Sequence, residues 1–183
     1  IDIDLYKAKK LYPFQEQTVS TILDEIDENG LDFNLLYQLP TGGGKTVIFS
    51  EIAKQYISRK NKKVLILTHR IELSVQTSKQ LTAIGVTNKI INSEVKELPD
   101  QGEFQCFIAM VETLHNRLND DGNFIKDVGL VIVDEAHYNS FRKIFQYYVN
   151  CNILGVTATP LSSNKALPLK DNYNKLLVGE STV

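Results

Sequence analysis

The stretch LYQLPTGGGKTVIFS, residues 36–50, joins an apolar run to an amphipathic one through three glycines, a lysine and a threonine. Glycines let backbone N–H groups approach phosphate oxygens, and a helix opening at Lys45 and Thr46 adds the favourable end of its dipole. Thr41, Gly42, Gly43, Gly44, Lys45 and Thr46 therefore read as a phosphate cradle. Lys45 is placed to reach the β- and γ-phosphates of a nucleotide, and Thr46 to hold Mg2+. The strict pattern G-x-x-x-x-G-K-[ST] has glycine at its first position, where this chain has Leu39. Kinases, GTPases, transporters and motors all use such cradles, so the motif names a ligand and leaves the task open.

Outward from this stretch, the short apolar runs NLLYQL, KVLILT, NKIIN, QCFIAM, GLVIVD and CNILGVT alternate with helical patterns. Runs such as VLIL and LVIV, apolar without alternation, suit strands covered on both faces. Ile48, Ile52 and Tyr56 recur every four positions, as do Leu73, Thr77 and Leu81, which lays one face of each intervening helix on the sheet. An α/β fold of three layers is predicted, a mainly parallel sheet with helices on both faces. Ligands of such sheets gather at the C-terminal ends of the strands. The acidic DEIDENG, residues 24–30, reads as the exposed end of the first helix, stopped by Gly30. The basic RKNKK, residues 59–63, falls in a helix-to-strand turn on the opposite edge.

The chain has 183 residues, enough for one domain with a sizeable core. It is 43% apolar and 23% charged, with 8 Tyr, 8 Phe and no Trp, which excludes a disordered or fibrous bias. A net charge of -2 and a pI near 5.9 give no global basic footprint, so any nucleic-acid contact is expected from a local face. Cys106 and Cys151 sit in apolar surroundings without metal-ligand spacing, and read as buried free thiols suited to a reducing cytoplasm. No apolar run approaches the roughly 20 residues of a membrane span, and no signal-peptide pattern opens the chain. It begins with Ile1, and an N-terminal portion is expected ahead of it.

A second chemical element follows the cradle. LVIVDEAH reads as a buried strand ending in two carboxylates at the same sheet edge. Asp134 is positioned to bind Mg2+ through water, and Glu135 to orient or deprotonate an attacking water. The combination resembles the DEAH-box helicases and translocases of superfamily 2. LYPFQEQ is similar to their Q motif, QLPTGGGKT to motif I, LTHRIEL to motif Ia, VIVDEAH to motif II and GVTATP to motif III, in the expected order. The resemblance runs from about Leu11 to Pro160 and is strongest to the RadD-like, UvsW-like and restriction-motor group that acts on DNA, which tolerates leucine at the position of Leu39.

The resemblance implies an N-terminal RecA-like motor domain over residues 1–165, with 166–183 a tail or linker towards a second RecA-like domain. It implies Mg-ATP hydrolysis coupled to movement on nucleic acid, DNA rather than RNA. Gln15 matches the glutamine that reads adenine, beside Tyr12 where the family often has arginine, and Tyr12 or Phe14 offers a stacking ring. His137, Thr157 and Thr159 match the groups that couple the nucleotide site to motif III. His69 and Arg70 match backbone-gripping positions of motif Ia, and Thr113 a second contact. His115 and Arg117 are expected to be exposed. No stretch after Thr159 resembles motifs IV to VI, so the isolated domain is expected to bind nucleotide weakly and hydrolyse it poorly. The alternative is a nucleotide-dependent switch or binding module without motor activity, in which motif Ia and TATP have no evident purpose. A metabolic kinase requires a substrate lid and an acceptor base, and neither is visible.

Overall fold

Strands that are apolar on both faces require a layer of helices on each side, and the chain supplies them by alternation. The computed structural model describes residues 9–30, 33–39, 44–134, 142–157 and 173–178. Within them, α1 (Pro13–Asn29) leads to β1 (Asn34–Gln38), α2 (Lys45–Lys60), β2 (Lys63–Thr68), α3 (Ile71–Ala83) and β3 (Asn88–Ile91). The chain continues through β4 (Cys106–Met110), α4 (Val111–Asp120), β5 (Val128–Asp134), α5 (Arg142–Phe145), β6 (Asn152–Thr157) and β7 (Lys175–Val178). The strands form one seven-stranded sheet in the order β3-β4-β2-β5-β6-β1-β7. Every neighbouring pair is parallel.

Successive side chains of a strand point to opposite faces, and two cores result. On one face Leu35, Val64, Ile66, Ile108, Ile132 and Leu154 meet Val19 and Ile22 of α1, Ile48, Ile52 and Tyr56 of α2, and Leu81 of α3. On the other, Leu36, Leu65, Leu67, Phe107, Val131 and Val133 meet Leu114 and Leu118 of α4 and Ile144 of α5. The four-residue recurrences on α2 and α3 thus mark the buried faces. Cys106 and Cys151 are free and buried, as expected, and burial pushes the Cys106 thiol well above its ordinary range. No described helix is long and apolar enough to cross a membrane.

Helix ends fall where the punctuation places them. Gly30, at φ 71°, closes α1 and donates its N–H to the Ile26 carbonyl at 3.1 Å. Asn61, at φ 54°, does the same for α2 through Ile57 at 2.9 Å. Asp27 ties the two ends together through Arg59 at 2.9 Å and Lys60 at 3.0 Å. Desolvation pushes the Asp27 carboxyl up, but the Lys60 and Arg59 cations outweigh it and hold it below the ordinary carboxylate range.

Within residues 166–183, which the resemblance assigns to a tail or linker, Lys175–Val178 form a short edge strand, β7, paired with β1 along Leu35–Gln38. Tyr173, just ahead of it, packs edge-on to Phe145 with ring centroids 6.4 Å apart and lies over Gly155 of β6. A Cβ at Gly155 would stand 2.6 Å from Tyr173 Cζ and 2.9 Å from Cε1, so glycine is required for this close approach. Gly155→Ala is expected to lower stability by about 1–3 kcal/mol in urea denaturation. The loss should shrink when Tyr173→Ala is already present; an equal loss in both backgrounds would contradict the packing role.

Candidate functional site

The C-terminal edge of the sheet collects the predicted residues on adjacent strands. Gln38 of β1 pairs in register with Thr157 of β6, and Val156 of β6 with Asp134 of β5. The Leu39 N–H continues the β1 ladder by donating to the Thr157 carbonyl at 2.9 Å. The Leu39 side chain is only 3% exposed and belongs to the core. The irregular first position of the cradle is therefore a packing residue that anchors the end of β1.

Gly44 caps α2 in the left-handed region, φ 72° and ψ 48°, which glycine adopts at low cost. It has a second reason to be glycine: Gln15 Nε2 occupies the space that a Cβ would fill. Gln15 is 4% exposed, and its Oε1 accepts the Tyr12 N–H at 2.8 Å at the start of α1. Tyr12 is 66% exposed and its ring stacks on Phe14, with centroids 6.2 Å apart and planes 7° from parallel. The Gln15 amide thus sits beside the opening of α2, with the stacked rings a few residues away on the same segment of chain.

Lys45 and Thr46 form the first turn of α2, and Ser50 Oγ secures that turn by donating to the Thr46 carbonyl at 2.8 Å. Lys45 Nζ lies 3.2 Å from Asp134 Oδ1. Asp134 is nearly fully buried, whereas the lysine side chain keeps 21% of its surface, so the cation faces the edge and the carboxylate lies behind it. A buried carboxylate needs a cationic partner. An ammonium and a recessed carboxylate beside the start of a helix fit the two ends of a Mg-nucleotide, with Lys45 on phosphate and Thr46 and Asp134 on the metal. Thr41, Gly42, Gly43, Glu135, His137 and Thr159 lie outside the described residues. Thr157 is fully buried at the end of β6, next to both the cradle strand and the Asp134 strand.

Farther along the same edge, Thr68 of β2 pairs in register with Met110 of β4. Arg70 follows the first as the N-cap of α3, and Thr113 follows the second in the opening turn of α4. Thr68 Oγ1 and Ser74 Oγ lie 2.8 Å apart and both donate to the Arg70 carbonyl, at 3.3 and 3.4 Å, fixing the backbone beneath an exposed arginine side chain. His69 and Thr113 are half-buried. From β1 to β2 is three strand spacings, about 14 Å. His115 and Arg117 are half-buried and not the exposed groups expected. Arg117 donates from Nε to Val95 O at 2.9 Å and from Nη2 to Ser93 O at 2.8 Å, holding the segment after β3. Contacts to a distant loop leave no trace in helical periodicity, which is why that role was not legible.

A buried Asp134 beside Lys45 at the opening of α2, on a parallel sheet of this order, defines an N-terminal RecA-like motor domain of superfamily 2 helicases. Residues 8–162 match the family "Type III restriction enzyme, res subunit", and the chain belongs to it. It is 33% identical over 160 residues to a Saccharomyces cerevisiae protein named "Putative ATP-dependent helicase IRC3", covering 78% of this chain and 22% of that one. It is 28% identical over 179 residues to "ATP-dependent DNA helicase mph1" of Neurospora crassa, covering 88% of this chain and 15% of the relative. The chain thus spans less than a quarter of these relatives. The UvsW helicase of bacteriophage T4 shares the fold with a TM-score of 0.72 at 15% identity, covering 94% of this chain and 62% of UvsW.

Gly44→Ala is expected to destabilise the domain by more than about 1 kcal/mol, because an L side chain is strained at this φ. Part of the loss should vanish with Gln15→Ala, which clears the space for the new methyl. Denaturation of the four combinations separates the two causes; no coupling between the sites would rule out the Gln15 contact.

Proposed function

We propose that this domain is the ATP-binding half of a DNA translocase or helicase, and that its sheet edge joins a nucleotide site to a strand grip. The observation that carries the reading is the Lys45–Asp134 pair at 3.2 Å, on the same edge as Arg70. Lys45 takes the β- and γ-phosphates, and Thr46 and Asp134 hold Mg2+, partly through water. Bound Mg2+ would supply positive charge at the phosphate oxygens. Glu135 accepts a proton from, or orients, the attacking water. Gln15 pairs with the adenine edge, since a side-chain amide both donates and accepts. The cradle residues Thr41, Gly42 and Gly43 supply backbone N–H groups.

Coupling falls to His137 with Thr157 and Thr159, which join the phosphate side of the site to the end of β6. Arg70, His69 and Thr113 hold the nucleic-acid backbone. An arginine fork matches phosphate without reading bases, so this grip has no sequence preference. A second RecA-like domain closes on the nucleotide and brings an arginine finger, a group whose loss typically costs ~10³ to 10⁵ in rate. The DNA assignment is supported by the name of the Neurospora relative and by the form of the motifs. The reading places the protein in the cytoplasm or another reducing compartment, in keeping with two free thiols.

ATP hydrolysis by the full-length protein should rise with single- or double-stranded DNA more than with RNA, and fall to background with Lys45→Ala. Absence of stimulation by any nucleic acid would sink the motor reading and favour a nucleotide-dependent switch. Arg70→Ala should weaken DNA binding and make its salt dependence shallower by roughly 0.7 to 0.9 in log–log slope, the loss of one phosphate contact. An unchanged slope would remove Arg70 from the grip.

A further inference from the structure

The chain ahead of α1 pairs with no strand in the described structure, yet it is held at a defined point. Lys9 donates its backbone N–H to Gln80 Oε1 at 3.0 Å, and Gln80 Nε2 donates back to the Lys9 carbonyl at 3.1 Å. A side-chain amide here pairs with the backbone N–H and C=O of one residue, much as a residue of one strand pairs with another. Gln80 lies near the end of α3 and is only 2% exposed. A buried amide is tolerated when both its ends are bonded, so this position is set by hydrogen bonding and not by apolar packing alone.

Two contacts to the backbone of one residue fix its orientation as well as its place. Three residues later the chain reaches Tyr12, whose N–H goes to Gln15 Oε1 and whose ring stacks on Phe14. Gln15 in turn lies against Gly44 at the start of α2. A line of contacts and covalent chain therefore runs from α3 through residues 9–12 to the Gln15 amide beside Gly44. The other end of α3 is capped by Arg70.

We propose that Gln80 is a positioning residue for base recognition: by gripping the Lys9 peptide it holds Tyr12 and Gln15 where an adenine ring is read. The proposal rests on the nucleotide-site reading and adds to it a residue remote from the cradle. Gln80 touches no nucleotide itself. Because it reads backbone, the identity of the side chain at position 9 is immaterial, and the exposed Lys9 side chain carries none of the effect. Because it acts on the base and not on the phosphates, its loss discriminates between nucleotides.

The test is binding of fluorescent ATP and GTP analogues to the full chain, with Gln80→Met, Lys9→Ala and Lys45→Ala. Methionine keeps the length and bulk of the side chain while removing both hydrogen bonds. Gln80→Met should weaken ATP about five- to tenfold, leave GTP within about twofold, and so erode the preference for adenine. Lys9→Ala should match the unsubstituted chain. Equal weakening of both nucleotides, or no weakening of ATP, overturns the proposal, since a merely structural defect does not choose between bases. Should Gln80→Met fold poorly by thermal denaturation, removal of residues 1–10 takes away the gripped peptide instead and should give the same ATP-selective loss; an unchanged ATP-to-GTP ratio there overturns the proposal too. Lys45→Ala must weaken both nucleotides. If it weakens neither, the nucleotide site itself is misplaced and the inference falls with it, an outcome distinct from failure at Gln80 alone.

Discussion

A sheet whose strands all run one way gathers their C-terminal ends at a single edge, and each part of the candidate site depends on that constraint. Interior strands satisfy their backbone groups with neighbours, and both faces are closed by apolar side chains such as Leu65, Ile66, Val131 and Ile132, all fully buried. Charged groups therefore have no place on either face and concentrate in the loops at the edge. Register then fixes who meets whom. Gln38 lies opposite Thr157, Val156 opposite Asp134, Val133 opposite Leu67, and Thr68 opposite Met110. The cradle strand, β6, the carboxylate strand and the strands leading to Arg70 and Thr113 thus follow one another along one line. Any shift in one of these strand ends is passed to its neighbour through the ladder.

Within that line, the Lys45–Asp134 pair sets the terms for a ligand. Removing one partner of a buried pair costs roughly 3–5 kcal/mol, because the other charge is left uncompensated. Asp134, behind the lysine and almost without surface, is the more deeply desolvated member of the pair. On the proposed reading, a triphosphate that draws Lys45 outward brings a cation towards Asp134. On the proposed reading, phosphate and Mg2+ exchange places with one ion pair in a single event, which explains why the two binding functions lie on adjacent residues.

How far the sequence was legible follows from the range of each signal. Six strands announced themselves because runs such as VLIL and LVIV are long and apolar on both faces, and α2 and α3 because Ile48, Ile52, Tyr56 and Leu81 keep a helical period. Lys45 and Asp134 were legible as motif members, and strand direction placed them at one sheet edge; their approach to 3.2 Å depends on the strand order, which the sequence does not show. Contacts between distant segments were not. Arg117 reads as a surface cation on its helix, and only the fold brings Ser93 and Val95 beneath it. Gln80 is polar and near a helix end, and only the fold shows that it is buried against the Lys9 backbone. Gly155 looks like one more glycine in a motif until Tyr173 arrives over it from nearly twenty residues downstream.

On the proposed reading the nucleic-acid grip is weak, for a reason that lies in the same edge. The chain carries a net charge of -2, so no broad field draws a polyanion to it, and binding must come from local groups. Arg70 and Thr113, each at the opening of a helix that follows a paired strand, amount to about two backbone contacts, of which one is charged. One neutralised phosphate would give a salt slope of only about −0.9, far below the values typical of tight binders. On the proposed reading such a surface is suited to a motor that grips and releases in turn: strength would come from a second surface closing against the first, and the few groups of this domain would need only be turned by what happens at Lys45 and Asp134.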